Sequence, residues 1–282
     1  MKFGVSIFPT DYSIQPAELA RAVEERGFES LFVTEHTHIP VSRVSPSYIP
    51  GELPKHYWHT HDAFVALTVA AAVTATLRLG TGVCLVTEHS PIGLAKRAAS
   101  LDFVSGGRFI FGVGAGWNAE EMADHGVAFG DRWKVTRERV EAMKTIWREE
   151  EPEFHGEFVN FEKLWSWPKP IQAGGPPVLI RANSKWTFER IADYADGWYA
   201  IDGVPGFATP EEGKELLRIA AEKRGRAFSE FDLSVASYPA EARVTQLIEL
   251  GVNRVVFGLP SEPAEAVMPL LDGLEKVARQ FP

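Results

Sequence analysis

The chain has 282 residues, 45% of them hydrophobic and 24% charged, an ordinary globular composition with length enough for one large α/β domain or two smaller ones. Its net charge of −9 argues against nucleic acid or an anionic membrane as partner, since both call for a basic face. The single cysteine, Cys84, excludes an intrachain disulfide; no run reaches the roughly 18 apolar residues of a membrane span, and the opening MKFGVSIF lacks a signal-peptide pattern. A cytoplasmic protein acting on a small molecule is the expectation.

Short β-rich runs lie at 3–8, 30–34, 77–85, 108–114, 177–181, 197–201, 232–236 and 254–259. Segments with apolar residues at helical spacing fill the gaps. The first, 16–26, opens on Pro16 and stops at Gly27, as helix boundaries prefer. Asp62 is the N-cap of a helix running to about residue 75, and Asp131 of one running to about 147. The second helix carries Val140, Met143, Ile146 and Trp147 on one face. The last repeats Val267, Leu270, Leu271, Leu274, Val277, Ala278 and Phe281 at the same period.

Eight strand–helix units in this length predict a (β/α)8 TIM barrel, one domain over residues 1–282. A doubly wound open sheet shares the alternation, but eight units ending in a strand and closing helix favour closure. Two connections are far longer than usual. Residues 35–61, after strand two, hold Pro40, Pro46, Pro50, Gly51 and Pro54 with Tyr48, Tyr57 and Trp58. In a barrel this insertion overhangs the catalytic face and reads as a lid. Residues 149–175, before strand five, include a small hairpin at 153–161 around His155-Gly156.

Chemistry-bearing motifs sit at the strand ends. Glu35-His36-Thr37-His38 follows strand two; it is half of a metal site or a histidine facing a cofactor with a bystander beside it. The chain offers His36, His38, His56, His59 and His61 as ligands. Metal-dependent barrel hydrolases take their His-x-His from the first strand, and strand eight here ends Phe257-Gly258-Leu259-Pro260 without a carboxylate. No metal is expected. Gly80-Thr81-Gly82-Val83 marks a barrel corner or a place where ligand approaches backbone. Gly112-x-Gly114-x-Gly116 lacks Rossmann spacing, yet alternate glycines leave a flat floor for a planar ring. Arg181-Ala182-Asn183-Ser184-Lys185 turns strand five into a helix. Asn183 or Ser184 suits an N-cap, and the same helix end, with Arg181 and Lys185, suits a phosphate.

Taken in order, Glu35-His36, Leu79-Gly80-Thr81-Gly82-Val83, Ser105-Gly106-Gly107-Arg108, Gly112-Val113-Gly114-Ala115-Gly116-Trp117, Asn183-Ser184 and Ala195-Asp196-Gly197-Trp198 resemble the bacterial luciferase-like family. The resemblance is to its F420-dependent oxidoreductase branch, whose TIM barrels bind FMN or the deazaflavin coenzyme F420 at the C-terminal mouth. It implies a cis peptide at Gly82-Val83 behind the ring and His36 facing the ring's reactive side, with Glu35 orienting or contacting the ring. It also implies Thr87, Gly114 and Asn118 as cofactor contacts, and a phosphate cradle at Arg181, Ala182, Asn183 and Ser184. Tyr57, Trp58 and Trp117 are candidates for the substrate pocket. Two departures stand out. Relatives carry Gly-Gly where this chain has Arg181-Ala182, which alters the phosphate contact. Ala115 replaces the acid of a sugar-phosphate dehydrogenase in the family, so that general-acid role does not carry over. The expected activity is F420-dependent hydride transfer to or from a small organic substrate by a homodimer. An FMN-dependent two-component monooxygenase is the alternative; a metal-dependent hydrolase and a non-catalytic flavin-binding barrel come behind it.

Overall fold

In the computed structural model, which describes residues 1–46, 51–182 and 184–281, eight parallel strands close into a barrel. They are β1 (Lys2–Ile7), β2 (Ser30–Val33), β3 (Arg78–Thr81, continued by Cys84–Leu85), β4 (Phe109–Gly114), β5 (Val178–Ile180), β6 (Gly197–Ile201), β7 (Asp232–Ser237) and β8 (Arg254–Gly258). Closure is direct: β1 pairs with β2 on one side and with β8 on the other, Lys2 opposite Arg254 and Ser6 opposite Gly258. The fold is a (β/α)8 TIM barrel, and the open-sheet alternative falls away.

The helices are α1 (Pro16–Glu25), α2 (Ala63–Val73), α3 (Pro91–Val104), α4 (Ala119–Asp124), α5 (Arg132–Arg148), α6 (Thr187–Tyr194), α7 (Pro210–Lys223), α8 (Glu241–Leu250) and α9 (Ala264–Ala278). Strands covered on both faces read as unbroken apolar runs. Every residue of β2, β4 and β5 is accordingly buried. Phe32, Ile110, Leu179, Tyr199 and Val256 cluster as one layer inside the barrel. Below them, near the strand starts, Arg254 is buried and held by Glu29 at 2.8 and 2.9 Å and by Ser234 at 2.6 Å. This end is plugged, so the free end of the barrel is the C-terminal mouth.

The helix ends follow from their local residue types at some positions and not at others. Gly27, just past α1, has φ +78°, a conformation glycine adopts at little cost. Asp62 caps α2 by accepting from Val65 N at 2.9 Å. Asp131 precedes α5 but makes no side-chain cap bond, because residues 129–131 already turn as a 3-10 helix. The helix after β5 begins at Thr187 with Trp186 at the cap position, so Ser184 belongs to the preceding turn and does not cap it. The hairpin pairs Phe154–His155 with Asn160–Phe161, and Glu138 of α5 accepts from its turn N–H groups at Glu157, Phe158 and Val159.

Strand three departs from the expected continuous run. Gly80 pairs with Ile110 and Cys84 with Val113, so four steps along β3 match three along β4. The extra residue is a bulge. It contains the Gly82-Val83 peptide, which is cis. Among the described residues no helix is long and apolar enough to cross a membrane.

Candidate active site

The strand ends surround a cavity of about 620 Å³, a size usual for cofactor and substrate sites. Its floor comes from the β3 bulge and the end of β4. A Cβ on Gly114 would stand 2.7 Å from Val83 Cγ2, and one on Gly112 would overlap the Thr81 carbonyl oxygen. Glycine at both positions lets β4 pack against the bulge and leaves a surface of backbone and Val83. The Gly82 carbonyl is held by Arg181, whose guanidinium donates at 2.8 Å while lying 4.8 Å over the Tyr199 ring. A flat, side-chain-poor face at the mouth fits a planar fused ring.

His36 stands at the end of β2, buried, with Nδ1 at 2.9–3.0 Å from both carboxylate oxygens of Glu121 on α4. A carboxylate at Nδ1 selects the tautomer that leaves the Nε2 lone pair available. Among the described residues Nε2 has no hydrogen-bond partner, and His36 lines the cavity. The ring packs beside Tyr57 at 5.2 Å and edge-on to Trp117 at 5.9 Å. Thr60 donates to the His36 carbonyl at 3.0 Å, which ties the segment before α2 to the strand end.

Glu35 also lines the cavity, but both its oxygens are taken. Oε2 accepts from Leu85 N at 2.8 Å, and Oε1 lies 2.9 Å from His89 Nε2. Arg97 donates to His89 Nδ1 at 2.8 Å. Arginine has no acceptor, so the His89 ring proton sits on Nε2 and points to Glu35. Burial by itself would raise the Glu35 carboxyl; the hydrogen bonds from His89, Cys84 and Leu85 outweigh it and hold the group below its ordinary value. Glu35 therefore braces β2 against β3 while its side chain remains on the cavity wall.

Of the residues singled out from sequence, Glu35, His36, Gly82, Val83, Gly114, Arg181, Ala182, Ser184, Tyr57 and Trp117 do meet around the cavity. Asn183 and Tyr48 lie outside the described residues. Three others do not form its wall. Thr87 is buried with its hydroxyl 3.3 Å from the Ala115 carbonyl. Asn118 caps α4, its Oδ1 accepting from Glu121 N at 3.3 Å, and so places Glu121 beneath His36. Trp58 follows the 3-10 turn that buries Tyr57 and is itself 51% exposed.

The histidines separate. His38 pairs with Asp124 and His59 with Asp11, while His56 stacks on Tyr57 and packs at a tilt on Phe8. Glu35, Cys84 and His89 do bring possible ligand atoms within 4.8 Å of one another. Both nitrogens of His89 are already engaged, and burial pushes the Cys84 thiol well above its ordinary value, so the thiolate a metal needs is disfavoured.

Sequence reasoning missed Glu121, Glu88 and His89. Glu88 is buried in the neighbourhood of Glu121 and Glu35, and its Oε2 has no hydrogen-bond partner among the described residues. Burial, then the nearby charges of Glu121 and Glu35, push its carboxyl up to about 10. The signal available was Thr87-Glu88-His89 directly after strand three, at the face where barrel sites form.

A closed parallel barrel with a fixed histidine and a glycine floor at its C-terminal mouth has the architecture of a TIM-barrel enzyme. The profile of the luciferase-like monooxygenase family matches residues 1–247, and the chain belongs to that family. An uncharacterized protein from Mycobacterium tuberculosis is 40% identical over 268 residues, 94% of each chain. The F420-dependent glucose-6-phosphate dehydrogenase of Kineococcus radiotolerans is 28% identical over 224 residues, 78% of this chain and 61% of that one. Among solved structures, a monooxygenase from Streptomyces bottropensis superposes over the full length of both chains with a TM-score of 0.83 at 19% identity, which is a likeness of fold.

Proposed function

We propose that this protein is an F420-dependent oxidoreductase that transfers hydride to or from a small organic substrate held at the barrel mouth. The observation that carries the reading is His36, fixed through Nδ1 by Glu121 and lining the cavity beside the glycine floor. The F420-dependent relative supports the deazaflavin over FMN. When bound, the deazaflavin supplies the hydride acceptor or donor. The chain's own part is to seat the ring on Gly82, Val83 and Gly114, and to exchange a proton with the substrate at His36 Nε2. Tyr57 and Trp117 flank the substrate, with Ser45 and Pro46 of the insertion after β2 beside them on the cavity wall. The same proposal takes the enzyme as a cytoplasmic homodimer.

Titration of the purified protein with oxidised F420 and with FMN, followed by fluorescence, tests the cofactor. Micromolar binding of F420 is expected; binding of FMN alone overturns the choice in favour of a flavin monooxygenase. His36→Ala tests the chemistry: cofactor affinity stays within a few-fold while turnover falls by roughly 10²-fold or more. Unchanged turnover removes His36 from the reaction.

A further inference from the structure

A second cavity, of about 460 Å³, lies at the strand-start end of the barrel and shares no lining residue with the catalytic mouth. Distant parts of the chain supply its wall. Arg78 opens β3, Arg148 closes α5, the turn at 172–175 leads towards β5, and Asp196 directly precedes β6. Gly174 and Gly175 take φ of +81° and +109°, so this turn bends sharply where a residue with a side chain would be strained. The hydride chemistry at the other end of the barrel uses none of these residues.

The wall holds two guanidiniums that pair with no carboxylate among the described residues. Arg78 donates to Gln172 Oε1 at 3.2 Å, while its buried Nε has no hydrogen-bond partner among those residues. Three carboxylates act on Arg78 by charge, Glu29, Asp232 and Asp102, and each is turned to another donor. Glu29 and Asp232 pair with Arg254, and Asp102 accepts from Gln172 at 2.6 and 3.0 Å. Arg148 reaches only the Gly174 carbonyl among the described residues, at 3.4 Å. A Cβ on Gly174 would stand 3.6 Å from Arg148 Nε, so the guanidinium lies against the turn. The Asp196 carboxylate on the same wall is already held by Lys144 at 3.0 Å and by Val178 N at 2.9 Å. The wall therefore carries a surplus of two positive charges.

We propose that this cavity is an anion site that takes a phosphate group, as inorganic phosphate or on a small metabolite, between Arg78 and Arg148. Guanidinium forks match the oxygen edges of phosphate and carboxylate alike. Charge separates the two: near neutral pH a phosphate group carries close to two negative charges and a carboxylate one. The Gly174 N–H, which makes no hydrogen bond among the described residues, offers a further donor in the same turn. A phosphate held there ties the start of β3 to the end of α5 and to the approach to β5, at the barrel face that serves stability and not chemistry. The site is independent of which cofactor the catalytic mouth takes.

The test titrates the whole protein, in phosphate-free buffer, with sodium phosphate and with glycerol phosphate while NMR follows the Gly174 and Gly175 amide signals. Both signals are expected to shift and saturate, and the melting temperature to rise with the bound fraction. Arg148→Gln is expected to weaken binding roughly tenfold or more, and Arg148→Lys by less. Wild-type affinity is expected to fall as sodium chloride rises from about 0.05 to about 0.5 M. Saturation by inorganic phosphate alone assigns the free ion, and tighter binding of the ester assigns a metabolite's phosphate. Amide signals that stay in place up to about 20 mM phosphate overturn the site. A response confined to the catalytic mouth, around Ser184, overturns it as well. So does a Kd that Arg148→Gln leaves unchanged, or acetate bound as tightly as phosphate, since one negative charge would then suffice. Should Arg148→Gln not fold, salt decides in its place: a wild-type affinity that sodium chloride does not alter sinks the proposal.

Discussion

His36 and Glu121 lie 85 residues apart in sequence, yet Nδ1 of one stands 2.9 Å from Oε2 of the other, with both side chains buried. The pair joins the end of β2 to the first turn of α4, two elements that share no strand pairing. Asn118 makes the meeting possible by capping α4, which points Glu121 under the histidine. A carboxylate behind an imidazole fixes its tautomer and stabilises the charge it gains on taking a proton.

Glu121→Gln keeps the size and much of the hydrogen bonding but removes that charge. Turnover is expected to fall by about 10²-fold, with cofactor affinity within a few-fold of wild type. A parallel loss of cofactor affinity would show instead that Glu121 shapes the binding site. Comparing cofactor titration with steady-state rates separates the two.

Glu88 makes stability depend on pH in a stated direction. Its carboxyl is raised in the fold from an ordinary 4.5 to about 10, so across that window the native state holds a proton that the unfolded chain has lost. Its contribution is whole below the unfolded value and declines as pH rises through the folded one. Wild type should therefore lose melting temperature relative to Glu88→Gln between about pH 6 and about pH 9. Parallel melting curves of the two proteins over that range would sink the assignment of a protonated Glu88.

Much of the fold was legible because burial on both faces leaves a mark in each strand and helical period a mark in most helices. Phe109–Gly114 needs no partner to be read as a strand. The motifs also lay at strand ends, which a barrel gathers into one mouth. What the sequence hid were relationships between distant side chains. Glu121 looks like any first-turn acid, and its value comes only from where α4 sets it against His36. Asn118 suited both a cap and a cofactor contact, and local backbone geometry chose the cap. Glu35 and His36 adjoin in sequence but differ in role, because Leu85 and His89 of β3 and its following turn capture only the first.

The glycine floor is testable by filling it. A methyl on Gly112 would run into the Thr81 carbonyl, so Gly112→Ala must part β3 from β4. A loss of roughly 1–3 kcal/mol or more is expected in chemical denaturation. Gly130→Ala is the control: no heavy atom lies within 4 Å of a Cβ there and its φ is not positive. It should stay within about 0.5 kcal/mol of wild type. Equal effects at the two sites would mean that close approach is not why Gly112 is glycine.

The sequence offers Arg181 to a phosphate cradle, and in the structure its guanidinium also has work in the floor of the cavity. It donates to the Gly82 carbonyl at 2.8 Å and covers Tyr199, bracing the bulge from the side of β5. A brace and a phosphate ligand differ in which molecules feel their loss. If Arg181 shapes the floor, Arg181→Met weakens F420 and a phosphate-free deazaflavin riboside by the same factor, about tenfold or 1.4 kcal/mol. If it holds the phosphate, only the phosphate-bearing molecule loses affinity, and that loss shrinks as salt screens the charge. Fluorescence titration of both ligands at low and high salt decides between them. Equal losses that salt does not change are the expected result, because a guanidinium hydrogen-bonded to a backbone carbonyl and stacked on a buried tyrosine is positioned by the barrel itself.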